Sequence, residues 1–299
     1  MANQTLAKER KIQTPYLQIF VIDPPKPLDW SSPKSLLRTT LWNGLSLDYA
    51  PNGHLAVHVK TRRPNAYGVS EVLTGMGRTN KMKTLWDTFY HEYGLSAMIR
   101  EFSGDLDSSI TTKEEIKKAA DANRLAIIQV QLTDEKADLL MEFMSNWIEF
   151  GSFRHYGGNK NVPKGEGSGC ADFAVYFIEL AMKGHLPSDQ WMRTVHLPYE
   201  LLQEAPGRKS KKVSISSILK STIPWAKSAK EGLKFSIPDP EKMTKWIMTY
   251  SAPFTKRVTI FPDEFQPQET LDDSMIRFQT PYSRESEQTI IAHWKKIKL

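Results

Sequence analysis

The chain has 299 residues, a single Cys and a formal charge of +6, with 40% hydrophobic and 25% charged residues. Such a composition excludes a largely disordered protein and supplies a sizeable core, while one cysteine excludes an intramolecular disulfide and any multi-cysteine zinc or iron–sulfur site. The charge is concentrated in residues 207–234, where seven Lys and one Arg face Glu231 alone, so a nucleic-acid-binding role for the whole protein loses force.

Residues 1–11 are polar and lack the apolar centre of a signal peptide, which points to a cytoplasmic protein or to a secreted or periplasmic one whose leader has been removed. Nowhere does the chain hold an apolar run of about eighteen residues, so no membrane-spanning helix is expected. Residues 16–22 (YLQIFVI) read as a buried strand ended by Asp23-Pro24-Pro25. Ser32-Pro33 then has the form of an N-cap and a first-turn proline, opening a short helix to about Trp42.

After the turn-like Pro51-Asn52-Gly53, Leu55, Val57 and Val59 alternate with His54, Ala56 and His58, a strand with both histidines on one face. Residues 62–68 make a connection, and 69–76 return as an antiparallel partner. A helix and then a strand are expected over 80–101, a short charged helix over 111–123 and a strand over 125–132 (LAIIQVQL). Thr133 starts a helix to about Ile148, with Leu139, Leu140, Phe143, Met144 and Trp147 at helical spacing. Residues 150–169 carry six glycines and a proline and read as a loop; 170–182 (CADFAVYFIELAM) follow as an apolar helix closed by Gly184. Farther on, 196–202 suggest a short element, 241–250 a helix, 257–261 a strand and 288–296 a final helix.

The cysteine therefore falls at the first turn of a helix, behind a glycine-rich approach. Backbone N–H groups and the helix dipole favour thiolate there, and the N–H of Cys170 or Ala171 suits an oxyanion. Taken alone, a free cysteine is more often a buried packing residue. A nucleophilic thiol needs a base, and His54, projecting from the start of its strand, is the favoured candidate among the seven histidines. His54 and His58 stand about 13 Å apart along an extended strand, which disfavours a shared metal ion, and there is no HExxH motif. His155, in the glycine-rich loop, is expected to line the substrate entrance with Tyr156, Gly169 and Asp172. No cofactor or metal is expected.

The order of these elements resembles the circularly permuted papain-like enzymes, the permuted NlpC-type proteins that include the lecithin retinol acyltransferase group. The resemblance rests on Gly53-His54 opening one strand, on 125–132 leading through Thr133 into a helix, and on Gly169-Cys170-Ala171-Asp172-Phe173 opening another; it covers residues 43–202. It implies an α+β fold in which an antiparallel sheet packs against helices, with Cys170 as nucleophile and His54 as base. A third polar residue on the strand after the histidine would hold the imidazole; the hairpin pairing puts Thr74 or Met76 nearest His54, and Glu71 is the only acid on that strand. Residues 1–42 would pack a strand and helix on a catalytic core at 43–204, with a basic segment and extension over 205–299.

The resemblance further implies thiol attack on a carbonyl and an acyl-enzyme. Three functions are then open: a cysteine hydrolase of amide or peptide bonds, such as those of cell-wall peptides or protein conjugates; an acyltransferase of the same fold; or a non-catalytic protein that binds an anionic ligand. Hydrolysis is favoured because no long apolar anchor accompanies the core. Residues 207–234 suit an anionic polymer or membrane surface, although such a Ser-Lys pattern is more often a solvated loop.

Overall fold

The computed structural model describes residues 14–45, 50–79, 92–158, 160–182, 188–205, 207, 209–251, 256–260 and 292–297. Among these residues the strands are β1 (Tyr16–Ile22), β2 (His54–Lys60), β3 (Glu71–Arg78), β4 (Phe102–Leu106), β5 (Leu125–Gln131), β6 (His155–Tyr156), β7 (Met192–Pro198), β8 (Gly232–Pro238) and β9 (Arg257–Ile260). The α-helices with defined bounds are α1 (Pro33–Leu45), α2 (Ser109–Asp121), α3 (Asp134–Glu149), α4 (Cys170–Met182), α5 (Ser188–Trp191), α6 (Ile215–Lys220) and α7 (Pro240–Tyr250).

Seven strands form one sheet in the order β6-β4-β3-β2-β1-β5-β9, antiparallel throughout except for the parallel β5–β9 pair. β1 lies in its interior, with Ile19 opposite Val57 on one side and Ile128 on the other. A strand paired on both edges and covered on both faces has little use for polar side chains, which is why YLQIFVI reads as a nearly unbroken apolar run. One face of the sheet buries Leu17, Ile19, Val21, Leu55, Val57, Ala126 and Ile128 beneath α3, α4 and α7. Phe143 and Trp147 of α3 interleave there with Phe173 and Phe177 of α4, ring centroids 5.0–6.4 Å apart. The opposite face buries Phe20, Ala56 and Leu73 under Ile116 of α2. His54, two residues from Ala56 along β2, belongs to this second face.

The fold is thus α+β, mostly antiparallel with helices on both faces. The N-terminal strand expected to pack on the core is an inner strand of the sheet, and β9 of the expected C-terminal extension is one of its edges. Residues 292–297 also join the main core, where Trp294 and Ile297 are buried and the Trp294 ring stacks on Tyr67. Part of the expected final helix, 288–291, lies outside the described residues, as do Gly184, residues 1–11 and most of the helix expected within 80–101.

β7 and β8 pair separately and share a smaller core, in which Leu197, Leu201, Leu202, Val213, Ile218 and Phe235 are buried. Trp225 stacks on Trp30 and donates its indole N–H to the Trp30 carbonyl at 2.7 Å. The basic segment is therefore folded in part rather than a solvated loop: it contributes α6, the start of β8 and the apolar residues Val213, Ile218, Ile223, Trp225 and Leu233 to this core. Among the described residues no helix is long and apolar enough to cross a membrane.

Candidate active site

α4 begins beside the first residues of β2, and this junction brings Cys170 to His54. The partly buried thiol is in hydrogen-bond contact with the His54 imidazole and with the backbone N–H of Leu55. Tyr156 of β6 donates its hydroxyl to Sγ at 3.8 Å. Burial alone would push the thiol up; the charge and hydrogen bond of His54, the Leu55 N–H and the Tyr156 hydroxyl outweigh it and hold Cys170 below its ordinary value. The converse holds at His54, where burial favours the neutral ring but the Cys170 thiolate and the Asp107 carboxylate prevail and raise its pKa well above 6.5. Each partner stabilises the charged form of the other, the electrostatics of a thiolate–imidazolium pair.

The ring's Nε2 is turned toward two acids, 3.5 Å from Asp107 Oδ2 and 3.8 Å from Glu115 Oε2. Both come from one short segment. Asp107 ends the run out of β4, Ser108 caps α2 by accepting the Thr111 N–H, and Glu115 lies farther along that helix, buried against the sheet. Asp107 is fixed to β3 by two bonds: its N–H donates to the Gly75 carbonyl at 2.9 Å, and its carbonyl accepts the Thr74 hydroxyl at 2.8 Å. Three polar atoms from His54, Asp107 and Glu115 lie within 4.8 Å of one another. A divalent cation or a protonated imidazole can each satisfy that spacing.

β3 makes room for this cluster by carrying glycine where its neighbours carry side chains. In the observed register Ala56 faces Gly75 and Val57 faces Thr74, so Gly75 and Gly77 share the His54 face of the sheet. A Cβ at Gly75 would sit 2.6 Å from His54 Nε2, and one at Gly77 would sit 2.8 Å from Asp107 Oδ1. The hairpin register expected from sequence placed Thr74 or Met76 beside His54; the structure puts Gly75 there instead.

The other residues singled out in the sequence fall in different places. Glu71 is at the far end of β3, opposite Lys60, and its carboxylate accepts from His58 Nε2 at 2.8 Å, so it orients His58 and not His54. Thr74 is fully buried and holds the Asp107 backbone. His155 is half exposed and pairs with Glu101 at 2.7 Å, while its neighbour Tyr156 turns inward to the sulfur. Gly169 precedes Cys170, beside the Asp172 carboxylate and the Gly157 carbonyl. Burial, reinforced by Glu179, pushes Asp172 up to about 7 against the pull of its own backbone N–H.

Sequence reasoning missed Asp107 and Glu115. The only local signal was Leu106-Asp107-Ser108-Ser109 ahead of a charged helix, the pattern of a cap. Nothing in its spacing points to a histidine some fifty residues earlier. No family model, no curated protein and no solved structure matches this chain.

Proposed function

We propose that this protein is a cysteine-dependent hydrolase that cleaves an amide or peptide bond through a thioester acyl-enzyme, with Cys170 as nucleophile, His54 as base and Asp107 orienting the imidazole. The observation that carries the reading is the contact between the Cys170 thiol and His54, at a helix start and with the far ring nitrogen turned to a carboxylate. An antiparallel sheet with the cysteine helix across one face and the histidine at a strand's beginning is also the arrangement that the resemblance to permuted papain-like enzymes implies.

With Nε2 given to the acids, Nδ1 is the nitrogen that serves the sulfur. The thiolate attacks the substrate carbonyl carbon, a C–S bond forms, and the carbonyl π pair moves to oxygen, where N–H groups at the start of α4 receive the negative charge. Collapse restores the carbonyl and breaks the C–N bond, and the leaving amine takes the proton that the imidazolium held. Water then gives a proton to His54 and attacks the thioester; the C–S bond breaks and the acid leaves, restoring the ion pair. The Tyr156 hydroxyl, already on the sulfur, stabilises the thiolate between turnovers.

Residues 207–234 suit an anionic portion of the substrate or its carrier. Lys211, Lys212 and Lys220, with Glu200 among them, line an open hollow of about 600 Å³ together with Leu201, Val213 and Ile223.

Mixing the protein with p-nitrophenyl acetate tests the reading without knowledge of the natural substrate. The expected result is a burst of nitrophenolate with the acetyl group located on Cys170 by peptide mass mapping, and no burst from Cys170→Ala. Acetylation confined to other residues would overturn it. Decay of the acetyl-enzyme in water, against its rate with an added amine, separates hydrolase from acyltransferase.

A further inference from the structure

We infer that Glu115 is a second positioning residue for His54, sharing the Nε2–H with Asp107 so that two carboxylates, rather than one, set the ring's orientation and its charge. The inference rests on the reading of Cys170 and His54 as nucleophile and base.

The argument begins with distance. A charge-assisted N–H···O bond closes to about 2.7–2.9 Å, whereas Nε2 stands 3.5 Å from Asp107 and 3.8 Å from Glu115. The nitrogen lies between two acceptors and is not seated on either. One proton facing two carboxylates at such distances is held by their combined field, and removing either lets the ring swing toward the other. The ring's remaining freedom is closed off by β3, because Gly75 lets it lie directly on the backbone.

The placement of Glu115 points the same way. Its side chain is only 3% exposed, and an ionised carboxylate at that depth is costly without a nearby positive charge. His54 supplies one. Asp107 and Glu115 are both carried by the segment that runs from the end of β4 into α2, so one rigid piece delivers both acids to one face of the imidazole. The charged and titratable groups that meet His54 include Asp107 beyond β4, Glu115 on α2 and Cys170 on α4. Tyr156 on β6 acts through the sulfur, and Arg78 of β3 lies over the Tyr156 ring at 5.3 Å.

An ionised Glu115 places a second negative charge beside the imidazolium, 3.8 Å from Nε2, and on that count the ion pair would persist farther toward alkaline pH. Removing an opposite charge at this range is worth about one pH unit. Glu115→Gln is therefore expected to move the His54 ring titration, followed by NMR, down by about one unit and to slow acetylation of Cys170 at neutral pH several-fold. Glu115→Asp, which keeps the charge but withdraws it by one methylene, should recover part of both effects and serves if the glutamine variant does not fold. Glu114→Gln, one residue away and exposed, is the control and should change neither.

A Glu115→Gln protein that matches Glu114→Gln in rate and in His54 titration, while His54→Ala abolishes acetylation, would overturn the role of Glu115 alone. If His54→Ala acetylates as fast as wild type, the underlying reading fails as well.

Discussion

Gly75 lies where β3 passes under the His54 ring, and its missing side chain is a condition of the site. Its backbone is not in the left-handed region, so alanine is conformationally allowed there; the obstacle is the 2.6 Å approach to Nε2 and 3.2 Å to the Leu55 carbonyl. Gly75→Ala should displace the ring from both acids and from the sulfur and slow Cys170 acetylation by roughly a hundredfold, the scale of a displacement of about 1 Å at a reacting centre. Gly44→Ala, with open space around its Cβ, should leave the rate unchanged. At this scale the proposed nucleophile and base were legible in the sequence, because a lone cysteine at a helix start and a histidine at a strand start each have a local signature. It could not show the acids, which reach His54 only through the pairing of β3 with β4 and the docking of α2. Glu71 looked suitable because it is the one acid on the neighbouring strand, yet the pleat and register deliver it to His58.

The segment from Asp107 to Glu115 is a single working element, and its precision depends on how α2 begins. Ser108 has extended backbone angles and accepts the Thr111 N–H at 3.1 Å, fixing the helix's first turn immediately after Asp107. Ser108→Ala should cost about 1 kcal/mol of stability, the usual worth of such a cap, measurable by denaturant unfolding. It should also slow acetylation out of proportion to that loss, because both carboxylates shift with the fraying turn. Equal loss of activity and of folded fraction would place the effect in stability alone. Elements of this kind were legible in outline: the alternation of 53–61, the apolar runs of 16–22 and 125–132 and the periodicity of 134–149 all follow from the faces they bury. Residues 207–234 were harder to read, because their anchors Val213, Ile218 and Trp225 are too widely spaced among lysines to show a period.

Across the whole molecule, strands distant in sequence complete one sheet: β1 from the start of the chain and β9 from near its end flank β5, and β1 also pairs with the histidine strand. A division into an N-terminal appendage, a core and an extension follows the order of the sequence but cuts through this sheet, since pairing between distant strands leaves no mark in local composition. α4 packs against β2 and against the aromatic layer of α3, with the sulfur at the imidazole. Because the 299 residues contain one cysteine, any thiol chemistry of the protein reports on that single atom. The most direct measurement is the rate of Cys170 alkylation by iodoacetamide against pH, in wild type and in His54→Ala. A lowered thiol beside a raised imidazole predicts that wild-type alkylation stays near its plateau well below the ordinary thiol value of about 8.5. In His54→Ala it should fall as an unassisted thiol does, roughly three-hundredfold by about pH 6. Superimposable profiles with an ordinary thiol titration in both proteins would contradict the ion pair and the function built on it.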